Sequence, residues 1–215
     1  MPGSPHTVSD VMTHTVVSVG RDAAFKDIVQ LMRQWNVGSL PVLEGEGRVV
    51  GVVSEADLLP KEEFRDSDPG QLPLDRLSDV AKAGAVTAGE LMTAPALTVH
   101  ADATLAQAAR TMALRKVKRL PVVDRLGILQ GVISRSDLLK VFLRPDAELA
   151  AEVNRTVLTP LFPDRAVTAS VQNGVVTLCG PMHDRNLVPV AARLAHAVEG
   201  VVDVRLDLTA PPPSR

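Results

Sequence analysis

A serine followed three residues later by an aspartate occurs twice in the chain, each time directly after an apolar run. Ser54 and Asp57 follow one run, and Ser134 and Asp137 follow the other. A helix that begins at such a serine presents unpaired backbone N–H groups, which favour phosphate. The serine hydroxyl can add to these donors, and a carboxylate one turn later can accept hydrogen bonds from two vicinal hydroxyls. The pattern therefore suits a ligand that carries both phosphate and hydroxyl groups.

Capping of a helix is a second explanation for the same residues. A Ser-x-x-Asp sequence at a helix start is close to a capping box, in which side chains and backbone satisfy each other without a ligand. A single copy would favour the cap, because short motifs often match by chance. Two copies at equivalent positions of a repeat favour binding, and one serine can serve both purposes.

The chain contains an internal repeat, which decides its organisation. A shift of 80 residues aligns Thr7–Leu59 with Thr87–Leu139 without a gap, and 18 of the 53 aligned positions are identical. The matches cluster in a Met-Thr pair, in a Leu-Pro-Val run and in a Gly-Val-Val/Ile-Ser-x-x-Asp-Leu-Leu ending. Both Ser-x-x-Asp sequences belong to that ending.

Each repeat has the pattern of a β-α-β-β-α unit. Apolar residues at i, i+3, i+4 and i+7 predict a helix over Phe25–Met32 and again over Leu105–Met112. Turns at 44–47 and 124–127 lead into a second apolar strand, after which the serine opens a closing helix. The other predicted strands are Val16–Val19, Ser39–Leu43, Leu97–Val99 and Arg119–Val123.

Two further segments complete the chain. Residues 61–84 are mostly polar and predict a surface insertion between the repeats, with a short helix near Leu74–Ala81. A third unit, 146–209, has the order α-β-β-α-β, with Asn173-Gly174 predicting a type I′ hairpin turn. Its predicted elements are a helix over Asp146–Thr159, strands over Ala166–Val171 and Val175–Cys179, a helix over Asp184–Val198 and a strand over Val201–Thr209. Residues 210–215 form a predicted disordered tail.

The doubled pattern resembles a pair of CBS domains over about Val8–Leu143. The third unit resembles a BON domain, on the sequence Val-x-Asn-Gly-Val-Val-Thr-Leu-x-Gly that starts at Val171 and on Val-x-Gly-Val-x-x-Val that starts at Val198. The expected fold class is α/β (α+β), with two β-α-β-β-α repeats at 1–60 and 85–145 that form a pseudo-twofold module, followed by the BON unit.

The resemblance to paired CBS domains implies a non-catalytic regulatory protein that binds an adenosyl ligand in clefts between the repeats. Such ligands are AMP, ADP, ATP, S-adenosylmethionine and sometimes NADH or cyclic dinucleotides. By resemblance, Asp57 and Asp137 accept the ribose hydroxyls, and Ser54 and Ser134 lie near phosphate. By the same resemblance, adenine lies among Thr15, Val16, Val17 and Pro41 in one site and among Pro95, Ala96, Leu97 and Pro121 in the other. Ser39, Lys118, Arg119 and Arg135 are further candidate ligand-binding residues, the last three because phosphate needs basic donors.

The two repeats differ in net charge. Residues 84–145 hold nine Lys or Arg against four Asp or Glu, whereas residues 1–59 hold four against seven. The basic residues concentrate at 115–119, with Arg135 beside Ser134. This cluster is either a set of phosphate donors in a stronger second site or a solvated helix end that complements the helix dipole. A nucleic-acid surface is disfavoured, because no aromatic residue is interleaved with the charges.

Several function classes are disfavoured by composition. The single cysteine, Cys179, excludes an internal disulfide and a cysteine-based zinc site, and its strand position predicts a buried hydrophobe. The five histidines lack metal-ligand spacing, so no metal is expected. No long apolar run and no export signal are visible, so a cytoplasmic location is expected. Nothing in the sequence has the pattern of a catalytic site.

The BON unit and the assembly leave alternatives open. BON domains are associated with phospholipid membranes, but residues 146–209 carry eight acidic residues against five arginines, which disfavours anionic lipid. A protein or ligand contact is an equal alternative. The apolar run Leu138–Leu143 exceeds one helix face, and we expect a homodimer through the CBS helices. The competing interpretation is a structural protein whose CBS pair only dimerises, with both Ser-x-x-Asp sequences acting as caps.

Overall fold

A computed structural model describes residues 6–65, 76–163, 167–181 and 186–209. The chain divides into two compact units. The first unit is Thr7–Arg135 and holds both repeats up to the end of the second apolar strand. The second unit holds the described residues of 136–209 together with His6. The division therefore falls between Arg135 and Ser136, at the start of the second closing helix.

The first repeat forms a three-stranded sheet covered by one long helix. Strand β1 runs parallel to β2, and β2 runs antiparallel to β3, with Val19 opposite Val42 and Leu40 opposite Val53. The apolar spacing of the long helix places Ile28 and Met32 on the sheet, where both are buried. The elements are α1 (Val8–Val11), β1 (Val19–Gly20), α2 (Phe25–Trp35), β2 (Ser39–Glu44), β3 (Arg48–Ser54) and α3 (Glu55–Leu58).

The second repeat has the same plan. Its sheet has the same strand order, and a register shift falls between Val122 and Val123, matching the shift between Val42 and Leu43 in the first repeat. The elements between the repeats and in the second repeat are α4 (Pro60–Glu63), α5 (Leu77–Gly84), α6 (Ala88–Leu91), β4 (Val99–His100), α7 (Leu105–Leu114), β5 (Arg119–Val123), β6 (Leu129–Ser134) and α8 (Arg135–Leu139).

The two repeats exchange their leading segments. Thr13 pairs with Val132 of the second repeat, and Thr93 pairs with Val52 of the first. Helix α6 is held the same way, because Ala88 N–H donates to Ala23 O at 2.9 Å. Consequently the core of the first sheet includes residues that the sequence assigns to the second repeat, namely Ala85, Ala88 and Leu91. The repeat in sequence is therefore not the unit of packing.

This exchange explains where the sequence prediction of the first strands was wrong. Those strands are only two residues long, Val19–Gly20 and Val99–His100, instead of Val16–Val19 and Leu97–Val99. The residues just before them run from the sheet of one repeat to the sheet of the other, so they do not pair as strands. The leading helices α1 and α6 were not predicted.

The remaining predictions for the repeats agree closely with the structure. The strands Ser39–Glu44 and Arg119–Val123 and the long helices lie where expected. In both helices the i+4 residue, Val29 or Ala109, is exposed, so the buried stripe is narrower than the spacing indicates. Within the insertion, the helix begins at Leu77, and residues 66–75, including the predicted start at Leu74, lie outside the described residues.

The second unit contains the predicted α-β-β-α-β order. Its elements are a 3₁₀ turn (Lys140–Leu143), α9 (Asp146–Val153), a π-turn (Asn154–Leu158), α10 (Thr159–Leu161), β7 (Thr168–Gln172), β8 (Val175–Pro181), α11 (Leu187–His196) and β9 (Asp203–Thr209). Strand β8 is central, antiparallel to β7 and parallel to β9. Asn173 and Gly174 both have positive φ, as the predicted type I′ turn requires. Residues 166, 184 and 210–215 lie outside the described residues.

A polar contact fixes the π-turn of this unit. Asn154 donates to Ala150 O at 2.8 Å and accepts from Ala169 N–H at 3.1 Å, so one side chain joins the helix to β7.

Cys179 on β8 is only partly buried, which corrects the expectation of a buried hydrophobe. Side chains alternate along a strand, and Cys179 lies on the face of β8 opposite the buried Val176 and Leu178. Along the described ranges, no helix is both long and apolar enough to cross a bilayer.

Candidate functional site

The Asp57 carboxylate lies at the junction of β3 and α3 and is enclosed by polar groups. Its Oδ2 accepts hydrogen bonds from Ser54 N–H at 2.7 Å and from Ser54 Oγ at 2.6 Å. These bonds form the capping box that the sequence allows. The side chain is 10% exposed. Helix α3 has four residues, a single turn, so its dipole is small and the Ser54 N–H expected for phosphate is already donated to Asp57.

The other oxygen of Asp57 contacts residues from outside the first repeat. Its Oδ1 forms an ion pair with Lys82 Nζ and accepts from Thr93 Oγ1 at 3.3 Å. Thr93 reaches this position because it pairs with Val52, two residues before Ser54. Neither Lys82 nor Thr93 was predicted from the sequence as a partner of Asp57. The repeated Met-Thr pair was a usable signal for Thr93, whereas Lys82 has no counterpart in the other repeat.

The residues predicted around each adenine come from mixed repeats. Pro41 and Pro121 are buried at mid-strand, opposite Val52 and Val132. The segment Thr15–Val17 follows Thr13, which lies on β6, and then leads into β1. The segment Pro95–Leu97 follows Thr93, which lies on β3, and leads into β4. Each segment therefore runs from one sheet to the other, instead of lining the sheet of its own repeat alone.

The second Ser-x-x-Asp sequence spans the division between the two units. Asp137 is buried and forms an ion pair of 2.7 Å with Lys140, whose side chain is 56% exposed. Ser134 lies opposite Arg119 in the antiparallel pair β5–β6, as Ser54 lies opposite Ser39 in β2–β3. In both repeats the residue after the serine donates its backbone N–H to the residue just before the middle strand of the sheet. Glu55 donates to Gly38 O and Arg135 donates to Lys118 O, each at 3.1 Å.

Charge at these equivalent positions differs in sign. Glu55 of the first repeat carries a carboxylate near Gly38, whereas Arg135 of the second donates Nε to Val117 O at 3.1 Å. Lys118 is exposed and Arg119 is half-buried on the adjoining strand. Phosphate is attracted to guanidinium and ammonium groups and repelled by carboxylates. The second repeat therefore carries a guanidinium where the first carries a carboxylate.

Two carboxylates near the junction of the repeats, Glu63 in α4 and Glu90 in α6, have lowered pKa values. Hydrogen bonding to Arg76 lowers the pKa of Glu63, and the same contact raises the pKa of Arg76. The backbone N–H groups of Val86 and Thr87 lower the pKa of Glu90, which accepts from them at 2.8 and 3.0 Å. Both carboxylates hold elements that adjoin Asp57, namely α5 and the segment that ends in Thr93.

Metal binding finds no support among the described residues, because no three His, Cys, Asp or Glu side chains there cluster closely enough to hold an ion. The arrangement around Asp57 offers acceptors, hydroxyls and one cation. These groups can bind and orient a polar ligand.

Comparison with known proteins assigns both parts of the chain. The CBS domain family matches residues 8–61 and 88–144, and the BON domain family matches residues 145–212. The protein MJ1426 of Methanocaldococcus jannaschii is 28% identical over 153 residues, which are 63% of this chain and 90% of that protein. The chloroplastic CBS domain-containing protein CBSX2 of Arabidopsis thaliana is 31% identical over 153 residues, 65% of this chain and 64% of that protein. The chain therefore spans just under two thirds of that second relative.

A solved structure of the same plant protein is also similar. The crystal structure of CBSX2 in complex with AMP matches with a TM-score of 0.57 at 32% identity, covering 64% of this chain and 97% of that chain. The matched family segments cover both repeats, and the structural likeness confirms the mixed α/β fold predicted for them. The chain thus belongs to the CBS domain family, as a CBS pair followed by a BON domain.

Proposed function

We propose that this protein is a non-catalytic sensor that binds an adenosyl ligand, such as AMP, ADP or ATP, in its CBS pair. The observation that carries the proposal is a carboxylate at the same place in both repeats, Asp57 and Asp137, buried at the start of the closing helix. Aspartate is almost never buried unless it is paired, so both positions serve a defined purpose. A carboxylate accepts two hydrogen bonds from the vicinal hydroxyls of a ribose. The AMP complex of CBSX2 supports an adenosyl group as that ligand.

The two sites differ in this proposal. The second repeat has the basic residues Lys118, Arg119 and Arg135 where the first repeat has Gly38, Ser39 and Glu55. The second site therefore binds a phosphorylated adenosine more tightly than the first.

The second site is connected to the BON domain through the polypeptide chain itself. Asp137 lies on α8, which continues through the 3₁₀ turn to Arg144. Arg144 donates to Glu199 O at 2.7 Å and to Glu152 Oε2 at 2.6 Å, so this segment is fixed to the BON fold at two points. A ligand that shifts Asp137 would pull on these contacts, and the BON domain would transmit the change to a protein partner.

A thermal-shift panel tests the proposal. AMP, ADP, ATP, S-adenosylmethionine, NADH and cyclic dinucleotides are added to the full chain, and at least one is expected to raise Tm. The double variant Asp57→Ala/Asp137→Ala should lose that rise. A panel in which no ligand moves Tm would refute the proposal.

A structural protein is the second candidate, because the Asp57 oxygens are already satisfied by Ser54, Thr93 and Lys82. In that case the CBS pair only dimerises and both aspartates act as caps. Asp57→Ala and Asp137→Ala would then lower stability. Neither the wild type nor the variants would respond to any ligand.

Both candidate functions include a homodimer that forms through the CBS helices. The outer faces of α2 and α7 expose apolar side chains, with Trp35 53% and Leu114 82% exposed. Burial of such side chains against a second copy would remove them from water, and C₂ pairing is the commonest arrangement.

A further inference from the structure

Lys82 occupies the one part of the Asp57 carboxylate that the capping box leaves open. Ser54 takes Oδ2 with two hydrogen bonds, whereas Lys82 Nζ pairs with Oδ1 and also donates to Thr93 Oγ1 at 3.4 Å. The Lys82 side chain is 21% exposed. An ammonium group in this position covers the oxygen that a ribose hydroxyl needs.

Helix α5, which carries Lys82, is fixed to the segment that follows Asp57. Lys61 Nζ donates to Ala83 O at 2.9 Å and lies 5.3 Å from the centre of the Phe25 ring. At the other end of the helix, Arg76 donates to Glu63 Oε2 at 2.9 Å and to Asp79 Oδ2 at 2.8 Å. These contacts place Lys82 over Asp57.

Helix α5 buries no residue of its own. The Arg76–Glu63 pair, which joins the start of α5 to α4, is exposed, and such pairs contribute little in water and weaken with salt. The Lys82–Asp57 pair is more shielded, with side chains 21% and 10% exposed. The core cluster of the first sheet includes no residue of α5, whereas Ala85, directly after the helix, belongs to it. Release of α5 would therefore leave that cluster in place.

The second repeat places its lysine differently. Lys140 comes from the turn directly after Asp137 and is more than half exposed, whereas the equivalent position of the first repeat is Pro60. A local, exposed lysine can rotate towards a phosphate while its helix stays in place. Lys82 comes from a separate helix, so its removal requires that helix to move.

We propose that Lys82 closes the first adenosyl site in the resting protein, and that a ligand enters at Asp57 only when helix α5 is released. This inference rests on the proposed adenosyl function. Under it, the ligand fills the second site first. The first site responds at higher ligand concentration or when another event detaches α5.

The closing experiment measures AMP binding by calorimetry to the full chain in an Asp137→Ala background, which isolates the first site. Lys82→Met keeps the length of the side chain and removes its charge, and Lys82→Gln is a second variant in case methionine disturbs folding. Lys26→Met, at an exposed position of α2, is the control for the change in net charge. The Lys82 variants should bind AMP at least tenfold more tightly than the parent, and Lys26→Met should match the parent within twofold.

Three results would overturn the inference. Unchanged affinity in both Lys82 variants would show that the lysine does not block the site. Weaker binding would show that Lys82 contacts the ligand. Two equal AMP sites per chain in the wild type would show that the first site is open, with the proposed function intact. Absence of heat with AMP, ADP and ATP in every variant would instead remove the adenosyl function itself, and this inference with it.

Discussion

At the scale of single residues, Asp57 combines a capping role with an ion pair. Its Oδ2 caps α3 through Ser54, and its Oδ1 neutralises Lys82. The capping box was predictable from the Ser-x-x-Asp spacing. The partner Lys82 was not, since it lies 25 positions along the chain, and only the docking of α5 brings it to Asp57.

Asp57→Ala should destabilise the fold by about 2–3 kcal/mol, because a cap is lost and Lys82 is left beside an apolar methyl. Asp10→Ala is the matched control, since Asp10 makes the same two bonds to Thr7, at 2.7 and 2.9 Å, on an exposed surface. That variant should lose about 1 kcal/mol. Urea unfolding of both variants measures the losses, and a loss below about 1 kcal/mol for Asp57→Ala would contradict the prediction.

Glu90 provides a pH test at the same scale. Its pKa in the folded protein lies below the ordinary 4.5 because Val86 and Thr87 N–H groups stabilise the carboxylate. A depressed folded pKa means that the contribution to stability is present above the unfolded value and is lost as pH falls through the folded one. An NMR titration of the Glu90 carboxyl should therefore show a midpoint below 4.5. A midpoint at or above that value would contradict the capping geometry, and Glu90→Gln should remove the titrating signal.

At the scale of elements, the crossed segments position the site. Local spacing predicted the second and third strands of each repeat, the long helices and the Asn173-Gly174 hairpin, because these depend on near neighbours. It did not predict α1, α6 or the pairing of Thr13 and Thr93 with the opposite repeat. Those features arise from contacts between segments about 40 to 120 residues apart, and short-range periodicity carries no information about them.

Gly131 permits one of these crossings. A Cβ there would lie 2.9 Å from Thr13 O and 2.7 Å from Met12 Sδ, so Gly131→Ala must displace backbone that pairs with Val132. We expect a loss of about 1–3 kcal/mol, typical of overpacking. Gly20→Ala, with nothing within 4 Å of the new methyl, should stay within about 0.5 kcal/mol of the wild type. Thermal unfolding compares the two, and equal Tm values would contradict the close approach.

At the scale of the whole molecule, the proposed function connects ligand binding by the CBS pair with homodimer assembly and with the BON domain. The family assignment follows from motifs that were visible in the sequence. The excess of basic residues in the second repeat was visible in the sequence, whereas the ion pair between Asp57 and Lys82 needed the structure. The contacts of Arg144 to Glu199 O and Glu152 give the BON domain a fixed link to the segment after Asp137.

Light scattering at micromolar concentration tests the assembly. The exposed Trp35 and Leu114 predict a particle of twice the 22.9 kDa chain mass. Leu114→Glu, which places a charge in the proposed interface, should return the monomer without loss of Tm. A wild-type monomer that no nucleotide changes would rule out the homodimer.

The most direct measurement is calorimetric titration of AMP into the wild type, Asp57→Ala and Asp137→Ala. The proposal predicts one tight site per wild-type chain, a loss of at least tenfold in affinity for Asp137→Ala and a small change for Asp57→Ala. Equal losses, or a larger loss from Asp57→Ala, would contradict the ranking of the sites. If neither AMP, ADP, ATP nor S-adenosylmethionine released or absorbed heat with the wild type, the adenosyl-sensor function itself would be wrong.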